Sequence, residues 1–290
     1  MIHRRQAIKA SLATGAAFAL TGCASSPRDT RHRSAATDSP ELAAAVDAGR
    51  RYFAKRCDDQ LPLVNALEAA LRSGDIEAAK RAYVESRPPY EEIETHAGSF
   101  EASDRDIDAR PYAFEGGETD AEFRGFHKIE ALIYGYQDLD AALPYARGLV
   151  ESVRSLRREL SDPTRFDAVS HFGGMIALAT EVSAKKISSE EETWSDQTLL
   201  IFRHNWIGIF SQYEPFDKLV AAKDASVSRA VREAYTEAMA LLADHFSSGS
   251  AAGTPYSKIQ IPERRRMADA SNRLRDSLVD ASRVLDTEPV

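Results

Sequence analysis

Residues 41–74 read ELAAAVDAGRRYFAKRCDDQLPLVNALEAALRSG, and the spacing of their apolar side chains decides the fold class. Val46, Phe53, Leu61, Val64, Leu67 and Leu71 recur at helical intervals, and the stripe stops at Ser73-Gly74. Asp75 is placed to cap a second helix, which meets Pro88-Pro89 and must kink or restart there. Residues 98–121 are acidic, irregular and glycine-containing, and read as a structured loop. A helix is predicted from Ala121 to Tyr134, ending at Gly135. Further helical periods fit Leu139–Leu160, Thr164–Ile187, Asp196–Ala222, Ala225–Phe246 and Pro262–Leu285. Strand-like alternation with turn dipeptides is absent, so the fold class is all-α.

The N-terminus reads as an address. Met1 to Lys9 is basic, Ala10 to Leu20 is a short apolar stretch, and Leu20-Thr21-Gly22-Cys23 follows. That layout predicts a signal peptide over residues 1–22, with the small residues before Cys23 matching a bacterial lipobox. On this reading Cys23 is acylated and begins the mature chain. Arg4-Arg5 within His3 to Lys9 resembles a twin-arginine signal, with Sec export as the other route. Ala24 is not the Asp that retains many lipoproteins at the inner membrane, which points to the outer one. Residues 23–40 are rich in Ser, Thr, Pro and Arg and read as a flexible tether to a helical domain over 41–290. The expected location is lipid-anchored and periplasm-facing. Cys57 is then left alone, as a small buried hydrophobe.

The chain carries 37 Lys plus Arg against 45 Asp plus Glu, a formal charge of −8. Residues 1–22 hold three of the cations and no acid, so the remainder carries −11. Such a chain is a poor partner for nucleic acid, which needs clustered cations. Most of the excess lies between Glu85 and Glu130, with thirteen acids and five bases. Spacing separates this run from a merely solvated face. Glu91 and Glu94 lie three apart on a helical stretch, and His127 and Glu130 repeat that spacing inside Gly125-Phe126-His127-Lys128-Ile129-Glu130. Two facing helices that each offer two ligands form a plausible metal cage. One imidazole among carboxylates suits iron, manganese or zinc and ill suits Cu(I).

Three ordered stretches carry a resemblance. Ser86 through Glu94, Asp106-Ile107-Asp108-Ala109-Arg110 and Gly125 through Glu130 together resemble the imelysin-like family, which includes the EfeO and EfeM periplasmic components of bacterial iron uptake. Glu181-Val182 and Lys186 through Glu192 resemble that family's second signature. The resemblance implies packed antiparallel four-helix bundles with a cleft, and a metal site around the His-x-x-Glu. Carried over position by position, it implies Glu91, Glu94, Asp108, His127, Glu130 and Glu190 as ligands. Six exceed what one ion needs, so some orient the others or serve a second ion. Arg87, Tyr90 and Arg110 also match, as groups that orient or neutralise the carboxylates. The implied cargo is iron, with zinc, copper or manganese as alternatives. An iron permease or peroxidase is the implied partner. Where relatives often carry Tyr-Ser-His, this chain has Trp194-Ser195-Asp196, so Asp196 stands as a possible substitute ligand. The form resembled is the short one, without a cupredoxin domain.

Two other functions compete: an imelysin-type metallopeptidase, and a lipoprotein binding a polysaccharide or other ligand without metal. The common zinc-peptidase pattern His-Glu-x-x-His is absent. His171 and His204 read as packed core histidines, and Phe202, Trp206, Ile209 and Phe210 as a core stripe. Arg264-Arg265-Arg266 reads as a solvated helix start.

Overall fold

The computed structural model describes residues 39–188 and 191–289. The signal segment, Cys23, most of the tether and Glu190 lie outside these residues. Helix α1 (Pro40–Ser73) is capped by the Ser39 hydroxyl, which accepts the Leu42 N–H at 3.1 Å. It buries Phe53, Cys57, Gln60, Val64, Leu67 and Leu71 along one stripe and closes on left-handed Gly74. Asp75 caps α2 (Ile76–Ser86) as expected. The chain then restarts through the double proline into the short α3 (Pro88–Ile93), since proline fits a first helical turn but not an interior.

The acidic loop is more regular than its sequence suggests. Residues Glu94–Ser99 form a 3₁₀ turn and Glu101–Asp108 a helix, α4. Charged residues hide the apolar period there, yet Phe100 and Ile107 are buried in the core. Helix α5 starts at Phe126, five residues later than expected, and runs only to Glu130. Gly125 sets that start, with φ of +82°. The helix widens into a π-helical turn over Ala131–Tyr136 and ends on left-handed Gln137, not at Gly135. The remaining helices are α6 (Leu139–Glu159), α7 (Ala168–Ala184), α8 (Thr198–Lys223), α9 (Ala225–Leu242) and α10 (Ile261–Val284). No strand occurs among the described residues, only a bridge between Phe246 and Gly253. None of their helices is long and apolar enough to cross a membrane.

Two cores result. In one, α1, α2, α3, α5 and α6 gather Phe53, Val64, Tyr83, Ile93, Ile129 and Val153. In the other, α7, α8, α9 and α10 close a ring of four around Phe172, Met175, Phe202, Trp206, Phe216 and Leu278. The stretch after α3 packs on α7 and joins the two. Gly174 makes this approach possible, because a Cβ there would fall 1.8 Å from the Thr95 carbonyl oxygen. A cleft of about 730 Å³ opens along the junction, between residues 94–113 and α7.

Cys57 is buried as expected, and burial pushes its thiol up to about 12. Trp206, Phe202 and Ile209 form the predicted core stripe, and half-buried Phe210 stacks on Tyr235. His171 packs among Phe53, His96 and Phe216. Arg264 departs from the expectation of a solvated start: it donates to the Ile259 and Tyr256 carbonyls and stacks over the Tyr256 ring.

Candidate metal centre

At the junction of α2 and α3 the chain turns Arg87 inward, and its guanidinium is wholly buried. It lies 2.7 Å from Glu91, 2.5 Å from Asp108 and 3.0 Å from Glu192, and covers the Phe126 ring at 4.5 Å. Glu91 is one helical turn away on α3, whereas Asp108 ends α4 and Glu192 comes from the segment before α8. A single cation thus ties together three stretches distant in sequence. Burying a charge is tolerable only with such pairing.

Next to this hub, α5 supplies His127 and Glu130. Glu130 Oε1 accepts the backbone N–H groups of Trp194 and Ser195 at 2.9 and 2.8 Å. Its other oxygen lies 3.3 Å from His127 Nδ1. With Glu130 ionised, Nδ1 carries the ring proton and Nε2 presents its lone pair toward Asp108, 3.5 Å away. A carboxylate that orients an imidazole in this way is a common support for a metal-binding histidine. Burial and the nearby Arg87 and Arg110 hold His127 well below the usual imidazole range, so it is neutral and fit to ligate.

The outer wall carries Glu94, Asp104, Asp108 and Glu181, all of which line the cleft with Arg110. Asn205 of α8 donates to the Glu91 carbonyl and to the carboxylates of Glu91 and Glu94, at 3.0, 3.1 and 2.9 Å. Glu91 and Glu94 therefore do converge, as their spacing predicted. Arg110 pairs with Glu191 and, at 3.6 Å, with Glu181. Tyr90 donates to Asp104. The matched residues Arg87, Tyr90 and Arg110 are thus all bound to carboxylates. Carboxylates outnumber cations here, and burial pushes Glu91, Glu130, Glu181 and Glu192 above the ordinary range. Asp104 is pushed up to about 7, again by burial. Glu191 goes the other way, because Lys186 and Arg110 outweigh its burial.

Which atoms are free to ligate can be read from their partners. Donor atoms of His127, Glu130 and Glu192 lie within 4.8 Å of one another, close enough for one ion. However, Glu130 is held on both oxygens, and Glu192 is engaged by Arg87, Tyr83 and Ser195. Among the buried side-chain atoms of this cluster without a hydrogen-bond partner are the acceptors His127 Nε2, Glu91 Oε1, Glu191 Oε2 and Asn205 Oδ1, alongside the donors Arg87 Nε, Arg87 Nη2 and Arg110 Nε. Glu91 Oε1 is near Arg87 but poorly aligned with it. Glu91 Oε1 thus has a cation beside it, while His127 Nε2, Glu191 Oε2 and Asn205 Oδ1 are acceptors that a donor or a cation would satisfy. The donor set, one imidazole with carboxylates, fits a borderline-to-hard metal ion.

The fit revises the predicted ligands. Glu130 has both oxygens engaged here, one by His127 and the other by the Trp194 and Ser195 N–H groups. Glu190 is outside the described residues, while its neighbours Glu191 and Glu192 both reach the cluster. Asp196, at φ of +60°, is engaged elsewhere and accepts the Ser257 N–H at 2.8 Å. His204 is not core but pairs with Glu92 at 2.7 Å on the other side of α3. Lys186, Glu191, Glu192 and Asn205 were not anticipated as site residues. Asn205 left one trace, an amide that, like Gln212, interrupts the apolar stripe of α8.

Comparison with known proteins agrees with this architecture. The family model described as Imelysin (peptidase M75) matches residues 30–281. EfeM of Pseudomonas syringae pv. syringae (strain B728a), an iron uptake system component, is 28% identical over 244 residues, covering 84% of this chain and 85% of that protein. EfeO of Escherichia coli (strain K12), also an iron uptake system component, is 34% identical over 164 residues. That match covers 57% of this chain and 44% of EfeO, so the chain aligns with less than half of that relative. EfeO of Shigella flexneri matches to the same extent.

Proposed function

The chain belongs to the imelysin family, and from that premise we propose that it binds iron for an uptake system, as a lipid-anchored protein facing the periplasm. The observation that carries the reading is the group of buried acceptors without a hydrogen bond, His127 Nε2 and Glu191 Oε2, together with Glu91 Oε1, which only the Arg87 cation faces. An incoming cation would take these atoms with Asp108 and Glu94, which line the cleft. Glu130 would hold the imidazole in orientation, and Arg87 and Arg110 would keep the emptied carboxylates from repelling one another. The names of the relatives support iron as the cargo, and the donor set also accommodates zinc or manganese. Export and acylation of Cys23 at the lipobox would keep the cleft near a membrane partner, a permease or peroxidase of the same system.

A hydrolytic reading lacks comparable support. Glu130, the only acid of the His-x-x-Glu, has both oxygens in use, so neither is free to take a proton from water.

Elemental analysis and calorimetric titration with ferrous, manganous and zinc ions test the proposal. One tight site is expected in the wild type, and it should be lost in His127→Ala with helical circular dichroism unchanged. Equal binding by both proteins would refute the site, and an absence of binding would refute the function.

A further inference from the structure

Lys185 and Lys186 are neighbours with opposite fates. Lys185 is exposed, whereas the 3₁₀ turn Lys186–Ser188 carries Lys186 inward to 1% exposure. Buried lysines are rare unless paired. Here the Nζ atom stands 2.8 and 2.7 Å from the two oxygens of Glu94, and 3.1 Å from Glu191. Glu94 Oε2 also accepts from Asn205. Glu94 lines the cleft, yet both its oxygens are committed to the ammonium behind it. A cation arriving through the cleft therefore meets a ligand already in use.

We propose that Lys186 is a resident countercation, and that metal loading exchanges its ammonium for the cargo ion at Glu94 and Glu191. This inference rests on the metal-binding function proposed above. The three cations of the cluster are not equivalent in this respect. Arg87 is fixed by three carboxylates and an aromatic face, and a guanidinium fork is held rigidly by such contacts. An ammonium on a four-carbon stem is a point charge that can swing aside without breaking a planar array. Lys186 keeps Glu94 and Glu191 from facing each other uncompensated while the site is empty. It also opposes every bound ion with a like charge, which lowers affinity and eases release to the next carrier. Lys186 is in this sense a positioning and affinity-setting residue, not a ligand.

The test is a titration of the full-length chain with zinc ion alone, in the wild type, Lys186→Met and Lys186→Arg. Removing the opposing charge should tighten binding by about tenfold or more, while Lys186→Arg stays near or below the wild type. Equal or weaker binding by a folded Lys186→Met overturns the exchange. Should Lys186→Met not fold, the wild type decides alone: the ¹⁵N ammonium signal of Lys186 should shift or vanish at saturation with zinc. A signal unchanged at saturation overturns the inference while leaving the metal site standing. A wild type that does not bind zinc or any other ion tested overturns both.

Discussion

A Cβ atom on Gly125 would stand 2.3 Å from the carbonyl oxygen of Ile107. This contact locks the end of α4 against the start of α5, and so sets Asp108 beside His127. Gly125→Ala meets both the clash and a left-handed φ. The expected loss is about 2–4 kcal/mol, together with weaker metal binding. Urea unfolding checks the first and titration the second, and an alanine variant of unchanged stability would contradict the geometry.

Arg87 is expected to be essential for stability before it matters for binding. Arg87→Met fills similar space but leaves Glu91, Asp108 and Glu192 without their shared cation. Breaking a buried pair from one side costs about 3–5 kcal/mol. The urea midpoint at pH 7 should fall accordingly and recover in part in acid, where those carboxylates are protonated. A midpoint lowered equally at every pH would mean that packing, not charge, is what Arg87 contributes.

Asp104 should destabilise the protein as pH rises. Burial lifts its carboxyl from 3.8 to about 7, with Glu94 and Asp108 adding to the effect. The unfolded chain loses this proton near 3.8 while the folded chain keeps it to about 7. The contribution to stability is therefore full below about pH 4 and is lost as pH rises through 7. Asp104→Asn retains an acceptor for Tyr90 and removes the penalty. The variant should gain up to about 4 kcal/mol at pH 8 and little at pH 4. Parallel stability curves for the two proteins would contradict this.

His171 should act in the opposite direction. Burial, with His96 beside it, depresses its pKa from 6.5 to about 4. Between these values the unfolded chain is protonated and the folded one is not. Stability is therefore full above about pH 6.5 and falls as pH drops toward 4, by up to about 3 kcal/mol for this residue. His171→Leu should make the loss shallower without abolishing it, because buried His96 and His127 are depressed as well. Chemical denaturation at intervals of half a pH unit would reveal an unchanged slope, the outcome that rules the assignment out.

The all-α class, the long first helix, the restart at the double proline and the nearness of Glu91 to Glu94 were all legible in the order of the residues. These follow from local rules: an apolar period, a cap or a proline acts within a turn or two of chain. The sequence also isolated the acidic stretch and the His-x-x-Glu on which the proposed site is built. What it could not determine was how the acids are shared out. Glu130 has one oxygen taken up because two backbone N–H groups from residues 194 and 195 reach it. Asp196 is engaged elsewhere because its backbone turned it toward Ser257. Lys186 entered because a single turn reversed it relative to Lys185. For Glu130 and Asp196 the deciding partner lies more than sixty residues away, and Lys186 meets Glu94 across ninety-two. A carboxylate's role as ligand, orienter or ion-pair partner depends on which charges and donors stand within about 3 Å once water is excluded, and only the packing of the two bundles brings them there.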